Sequence, residues 1–276
     1  MESEYETDSG AEESSKPKEK SYYPSNPKKV LQKFSNLQKD QIIKLIVSLF
    51  IIVCFGIFNN IKIIGNPIPI NSDGRHCYED SVLNYFSFLN NFWREDTFYT
   101  KFIEIGGSLL LDTLFFISYF GWGIYSVDWR YGVSTMLFYG IRGVVQEIIR
   151  MCWPDNVHFP NPGFPSVVVS YVQGTDFFFS GHCGFPIVVG FEFALMKKYK
   201  FTVFCIFVML WEGFLMINSR EHYTIDLIVG PIFAHYICMN NFEWFKTIYK
   251  IKFLNRLKMQ NRQELKRIGV NYDIEE

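Results

Sequence analysis

The chain has no excess of charge of either sign. Its 276 residues hold 27 Lys and Arg against 28 Asp and Glu, a net charge of −1. The basic footprint of a nucleic-acid binder is therefore missing. No CxxC pair and no His/Cys run at metal-ligand spacing occurs, and neither a metal nor a cofactor is expected. Cysteine is scarce, six in all. Cys54, Cys205 and Cys238 fall inside apolar runs and read as inert packing residues, while Cys183 directly follows a candidate functional histidine. Cys77 and Cys152 lie in two segments placed on the same side, where a bridge can form, although two loop cysteines do not establish a disulfide framework. A cleavable signal peptide is not expected, because the first apolar run opens only at Ile42 and has no small-residue cleavage site.

Apolar residues are abundant, 49% hydrophobic and 18% aromatic. The mean hydropathy of +0.05 averages over a division. Residues 1–40 and 241–276 are polar, and almost all apolar mass lies between them. The wealth of Phe, Ile, Asn and Lys fits AT-rich codon usage and is not read as function. Residues 1–40, acidic and Ser-rich up to Glu19 and then Lys- and Pro-rich, are expected to be a disordered cytosolic tail. Such a composition buries too little apolar surface to offset its ordering entropy. Its basic half could rest on an anionic membrane surface, but a solvated tail is the simpler reading.

Between the tails run six apolar stretches, Ile42–Phe58, Phe102–Tyr125, Tyr131–Ile149, Phe177–Met196, Phe201–Ile217 and Tyr223–Met239. Each is near the ~20 residues that cross a bilayer as a helix. The expected fold is all-α, a polytopic bundle of six transmembrane helices over 41–240, with residues 241–276 a basic cytosolic tail. Lys44 opens the first span, where it can snorkel. Residues 59–101 and 150–176 read as loops, the second punctuated by Pro154, Pro160, Pro162 and Pro165. With six spans, both tails and the Lys197, Lys198 and Lys200 turn share one side, which the positive-inside rule makes the cytosol.

That orientation gathers two motifs on the lumenal or exterior side. One is Asp176-Phe177-Phe178-Phe179-Ser180-Gly181-His182, the other His222-Tyr223-Thr224-Ile225-Asp226. The down-and-back path between them brings His182 and His222 to one depth. His222 and Asp226 are spaced i, i+4, on one helix face. Asp226 can hold one ring nitrogen of His222 and leave the other as nucleophile or base. His182 can then protonate a departing alkoxide and later deprotonate an incoming hydroxyl. Either motif alone is more often structural. Together at the polar ends of spans, where ionisable groups usually mark function, they point to phosphoryl-type transfer on a lipid.

The two strings resemble those of the sphingomyelin synthases, relatives of the PAP2-like lipid phosphatases. They are closer still to the plant phosphatidylcholine:diacylglycerol cholinephosphotransferases, toward which Arg220 and the run Leu227-Ile228-Val229-Gly230 lean. The resemblance implies a six-span PAP2-like helical bundle with a lumenal His182/His222/Asp226 triad. It implies transfer of phosphocholine, or a related phospho-alcohol, from a phospholipid donor to a diacylglycerol or ceramide acceptor in the endoplasmic reticulum or Golgi. Two rivals stand beside it: a lipid phosphate phosphatase using the same triad, and a non-catalytic scramblase or transporter. The Lys- and Arg-Pro-bearing motif of the wider phosphatases is missing. Arg142 is the first choice for a phosphate partner, against an intramembrane ion pair with Glu147, Glu212 or Asp112. Arg220, Ser180, Gly181 and Asp176 complete the expected substrate-binding set, with Tyr223 among several aromatic faces for choline.

Overall fold

A computed structural model describes residues 39–60, 78–95, 97–126, 129–149, 151–158, 160–169, 171 and 177–267. Among these, all regular structure is helical. Eight helices follow one another: α1 Lys39–Asn60, α2 Ser81–Tyr85, α3 Ser87–Glu95, α4 Thr97–Tyr125, α5 Arg130–Ile148, α6 Gly181–Leu195, α7 Tyr199–Ser219 and α8 Thr224–Arg267. Three segments are long and apolar enough to cross a membrane, Lys39–Ile57, Phe98–Tyr125 and Tyr199–Ser219, and α6 is a shorter apolar helix.

The distribution of polarity is inverted relative to a water-soluble domain. Ile46, Phe50, Val203 and Leu210 are all more than half exposed, while Lys44, Glu104, Asp112, Glu192, Glu212 and Asp226 are buried. An apolar exterior of this extent suits lipid rather than water, and interior ionisable groups in such a bundle sit facing partners. Aromatic side chains form the middle of the core, where Phe115, Tyr119, Trp122, Tyr131, Phe138 and Phe185 pack together.

The bundle has two chemically distinct ends. At one, Lys44 Nζ donates to the Ser126 carbonyl at 3.1 Å, Arg130 pairs with Glu192 at 3.0 Å, and Asn241 Nδ2 donates to the Arg130 carbonyl at 3.0 Å. The turn bearing Lys197, in left-handed conformation at φ 58°, lies at this end, following α6 and Glu192. At the other end, α2 and α3 meet the 151–158 segment and the α7–α8 junction. α6 packs chiefly on α7 and α8, so the two helices that carry the motifs are direct neighbours.

Several expectations change. Lys44 does not snorkel to water: it is fully buried, paired with Asp40 at 2.8 Å and set over the Trp129 ring, because helix α4 covers it. Part of the expected 59–101 loop is helical. Asp80 accepts the Val82 and Leu83 amides and so caps α2, and α3 buries Asn90 and Trp93 while leaving Phe88 and Phe92 outward. The last helix does not stop at Met239 but continues unbroken to Arg267. The described part of 151–171 is non-helical, as its prolines require. Residues 1–38, Cys77, Asp176 and 268–276 lie outside the described residues.

Candidate active site

Helix α7 ends at Ser219, and Arg220 takes the left-handed conformation (φ 57°, ψ 32°) as its C-cap. The chain turns through Glu221–Tyr223 and re-enters helix at Thr224, so His222 sits just before α8 and Asp226 in its first turn. The expected i, i+4 pair forms, but with His222 outside the helix rather than on a shared helix face. His222 Nδ1 lies 3.2 Å from Asp226 Oδ2, with His222 3% and Asp226 0% exposed. This contact directs the other ring nitrogen, Nε2, away from the carboxylate.

Asp226 does more than orient the imidazole. Its Oδ2 also accepts the Tyr223 amide at 3.0 Å, and its Oδ1 accepts the Phe178 amide at 2.6 Å. Its backbone carbonyl accepts the Ser180 amide at 3.2 Å. Phe178 has φ 74°, a region that bulky residues avoid and keep only when their surroundings hold them there. One residue of α8 thus grips the Phe178–Ser180 segment that launches α6. Ser180 is the N-cap of α6, its Oγ accepting the Cys183 amide at 3.5 Å.

His182 follows in the first turn of α6. Its ring centroid stands 5.9 Å from that of His222, and neither of its ring nitrogens has a hydrogen-bond partner. Arg142 approaches from α5. Its Nε donates to the Phe179 carbonyl at 3.0 Å, and its guanidinium lies over Gly181, where a Cβ would stand only 3.2 Å from Cζ. Glycine at 181 therefore leaves room for a cation at the N-terminus of α6, itself a favoured place for an anion.

Residues 111–241 match the family model described as AtPDCT1/2. The description denotes phosphatidylcholine:diacylglycerol cholinephosphotransferases, and the likeness supports a cholinephosphotransferase-like relationship over just under half of the chain. It takes in Arg142, His182, His222 and Asp226 together. No curated protein and no solved structure matches the chain.

The remaining expected site residues divide. Arg220 is engaged with backbone: Nη1 donates to the Asp155 carbonyl and Nη2 to the Leu83 carbonyl, each at 2.9 Å. It ties the α7–α8 junction to two neighbouring segments. Tyr223 is buried, its hydroxyl donates to the Cys152 carbonyl at 3.1 Å, and its ring packs edge-on against Phe177. Asp112 accepts Ser166 Oγ and the Val167 and Val168 amides, which fixes the proline-bearing loop to α4.

One contributor escaped sequence reasoning. Asp80 caps α2 and also accepts the Thr224 amide at 2.7 Å and Thr224 Oγ1 at 3.0 Å, so one carboxylate caps both α2 and α8. The Asp80-Ser81 step before an apolar helix is a legible capping signal for α2, but nothing local announces its second client 144 residues away. Cys152 is disulfide-bonded, while Cys54, Cys183, Cys205 and Cys238 are free. Cys77, the expected partner, lies outside the described residues.

Proposed function

We propose that this chain is a six-span membrane enzyme that moves a phospho-head group, phosphocholine or a close relative, from a phospholipid to diacylglycerol. The observation that carries the reading is the buried His222–Asp226 pair with the unpartnered imidazole of His182 facing it, inside the stretch that resembles the cholinephosphotransferases. In the first half-reaction His222 Nε2 attacks phosphorus and forms a P–N bond. The bond from phosphorus to the diacylglycerol oxygen breaks, and His182 gives that oxygen a proton. In the second, His182 takes the proton of the acceptor hydroxyl, whose oxygen attacks phosphorus, and the P–N bond breaks to free His222. His222 keeps its Nδ1 proton throughout and donates it to Asp226 Oδ2, so the imidazole keeps one tautomer and one orientation. Arg142, above Gly181, is assigned to the phosphate oxygens, for which a guanidinium fork is suited. Family likeness favours diacylglycerol over ceramide as acceptor.

The site belongs on the lumenal face in this reading. The Lys-rich turn lies at the opposite end of the bundle, as positive-inside orientation requires. Cys152, beside Tyr223, is disulfide-bonded, and disulfides persist in oxidising compartments. The endoplasmic reticulum satisfies both conditions.

The test uses the full chain in mixed-lipid vesicles with head-group-labelled phosphatidylcholine, diacylglycerol and ceramide being offered separately. Label is expected in newly formed phosphatidylcholine from diacylglycerol, and a labelled protein adduct is expected in wild type but not in His222→Ala. Release of inorganic phosphate from phosphatidic acid, with no lipid-to-lipid exchange, would replace the transferase by a phosphatase.

A further inference from the structure

A small chamber adjoins His182 and remains unused by the chemistry above. Its walls include Trp93 of α3, Glu104 of α4, Tyr171, His182 itself, and Glu212 and Met216 of α7. The free volume is about 20 Å³, room for one water molecule. Among the described residues no Lys or Arg lines it.

Several buried polar atoms of this chamber have no hydrogen-bond partner. Glu212, 1% exposed, leaves Oε1 unbonded; Glu104, 6% exposed, leaves both carboxyl oxygens unbonded. The Glu104 carboxyl lies beside Trp93 Nε1, and neither completes a hydrogen bond. Both nitrogens of His182 are in the same condition. Buried acceptors without donors are costly and rare in native folds, and carboxyl groups carry that cost more heavily than neutral ones. Three unmet carboxyl oxygens around one small space call for a ligand that brings positive charge and donors.

His182 joins this space to the reacting centre, since it both lines the chamber and faces His222 at 5.9 Å. Arg142 does not line the chamber. The surroundings of His182 are therefore polarised: a cation over Gly181, and carboxyls in the chamber. A zwitterionic head group, phosphate joined by two carbons to an ammonium, has the matching polarity. We propose that Glu212 and Glu104 form the subsite for the ammonium group of a zwitterionic phospho-head group and so select zwitterionic over anionic phospholipid donors. This rests on the head-group transfer reading. Size orders the two common ammonium groups. A primary ammonium brings three donors and occupies about the space of one water. A trimethylammonium brings none, gains instead from the Trp93 and Tyr171 rings, and requires the flexible Met216 side chain to give way.

The experiment uses the full chain in vesicles with diacylglycerol as acceptor and three labelled donors: phosphatidylethanolamine, phosphatidylcholine and phosphatidylglycerol. Wild type is expected to use the two zwitterionic donors and to discriminate against phosphatidylglycerol. Glu212→Gln and Glu104→Gln, close in volume, are expected to lower kcat/KM for the zwitterionic donors by about tenfold or more, the scale of losing a charge-assisted contact. Phosphatidylglycerol use is expected to be unchanged, so the discrimination collapses. An equal loss on all three donors, or an unchanged ratio, overturns the assignment. Met216→Ala, which leaves both carboxyls in place, is expected to raise phosphatidylcholine use relative to phosphatidylethanolamine, and an unmoved ratio counts against the chamber. A second arm needs no turnover: thermal melting of His222→Ala with free phosphoethanolamine, phosphocholine or glycerol phosphate. The first two are expected to raise Tm and the third not, and the difference is expected to vanish in His222→Ala/Glu212→Gln. Equal shifts from all three refute the subsite. Absence of transfer from every donor refutes the function instead, and the melting arm still decides the chamber.

Discussion

Substituting Gly230 by Ala tests how tightly the two motifs are locked. Gly230 lies one turn beyond Asp226 on α8, against the segment that starts α6. A Cβ there would fall inside 3.0 Å of the Ser180 carbonyl oxygen and 3.3 Å from both the Ser180 carbonyl carbon and its amide nitrogen. These are backbone atoms and cannot swing aside as a side-chain tip can. Relief requires α6 and α8 to part by about 1 Å to reach ordinary contact near 3.4 Å. The segment cannot shift alone, because Asp226 holds it at Phe178 N–H and at Ser180 N–H. His182 would move relative to His222, and a misplacement of about 1 Å costs on the order of 10²-fold in rate. Overpacking also destabilises by roughly 1–3 kcal/mol. The assay is kcat/KM for head-group exchange alongside a melting curve, with Gly140→Ala, where a Cβ meets nothing within 4 Å, as the control. A Gly230→Ala chain that melts as a folded protein and works within threefold of wild type would refute the claim that this contact sets the imidazole spacing.

Three further outcomes are expected. Asp226→Asn keeps the shape but replaces one acceptor oxygen by a donor; it should lower exchange by about 10²–10⁴-fold, the range associated with a mis-set acid–base group, and lower Tm through the Phe178 and Tyr223 amides, measured by steady-state rates and melting. Reduction of the Cys152 disulfide, or Cys152→Ser, should cost roughly 2–5 kcal/mol of stability and appear as a lower melting temperature in dithiothreitol. The third concerns pH: burial, and next the Arg94 cation, hold the His158 imidazole below its ordinary value. The unfolded chain therefore binds a proton that the native chain refuses, so this contribution to stability is present above about pH 6.5 and fades as pH falls below it. His158→Gln should flatten the acid limb of a melting-temperature profile.

Local chemistry carried a large part of the answer. The runs at Ile42–Phe58, Phe102–Tyr125 and Phe201–Ile217 are helices of span length because unbroken apolar sequence has few other ways to satisfy its backbone away from water. The His222–Asp226 contact was legible from its four-residue spacing, although His222 lies just before α8 and the turn into the helix, not a shared helix face, closes it. The prolines of 151–171 barred a helix there, since each removes a donor and blocks a turn. The helices α2 and α3 were hidden, because their apolar residues are interleaved with Asn, Ser and Arg and resemble a loop.

What the linear order could not hold is contact between distant segments. That Asp226 grips Phe178 and Ser180, that Asp80 caps a helix far along the chain, and that Glu104 and Glu212 empty their carboxyl oxygens into one space beside His182 are all outcomes of packing α4, α6, α7 and α8 together. Periodicity records which face of a helix is apolar, but not which neighbour that face will meet. The residue types and their spacing determined the His222–Asp226 pair, while the distance between the imidazoles, the cation over Gly181 and the acidic chamber were decided only when the helices closed on one another.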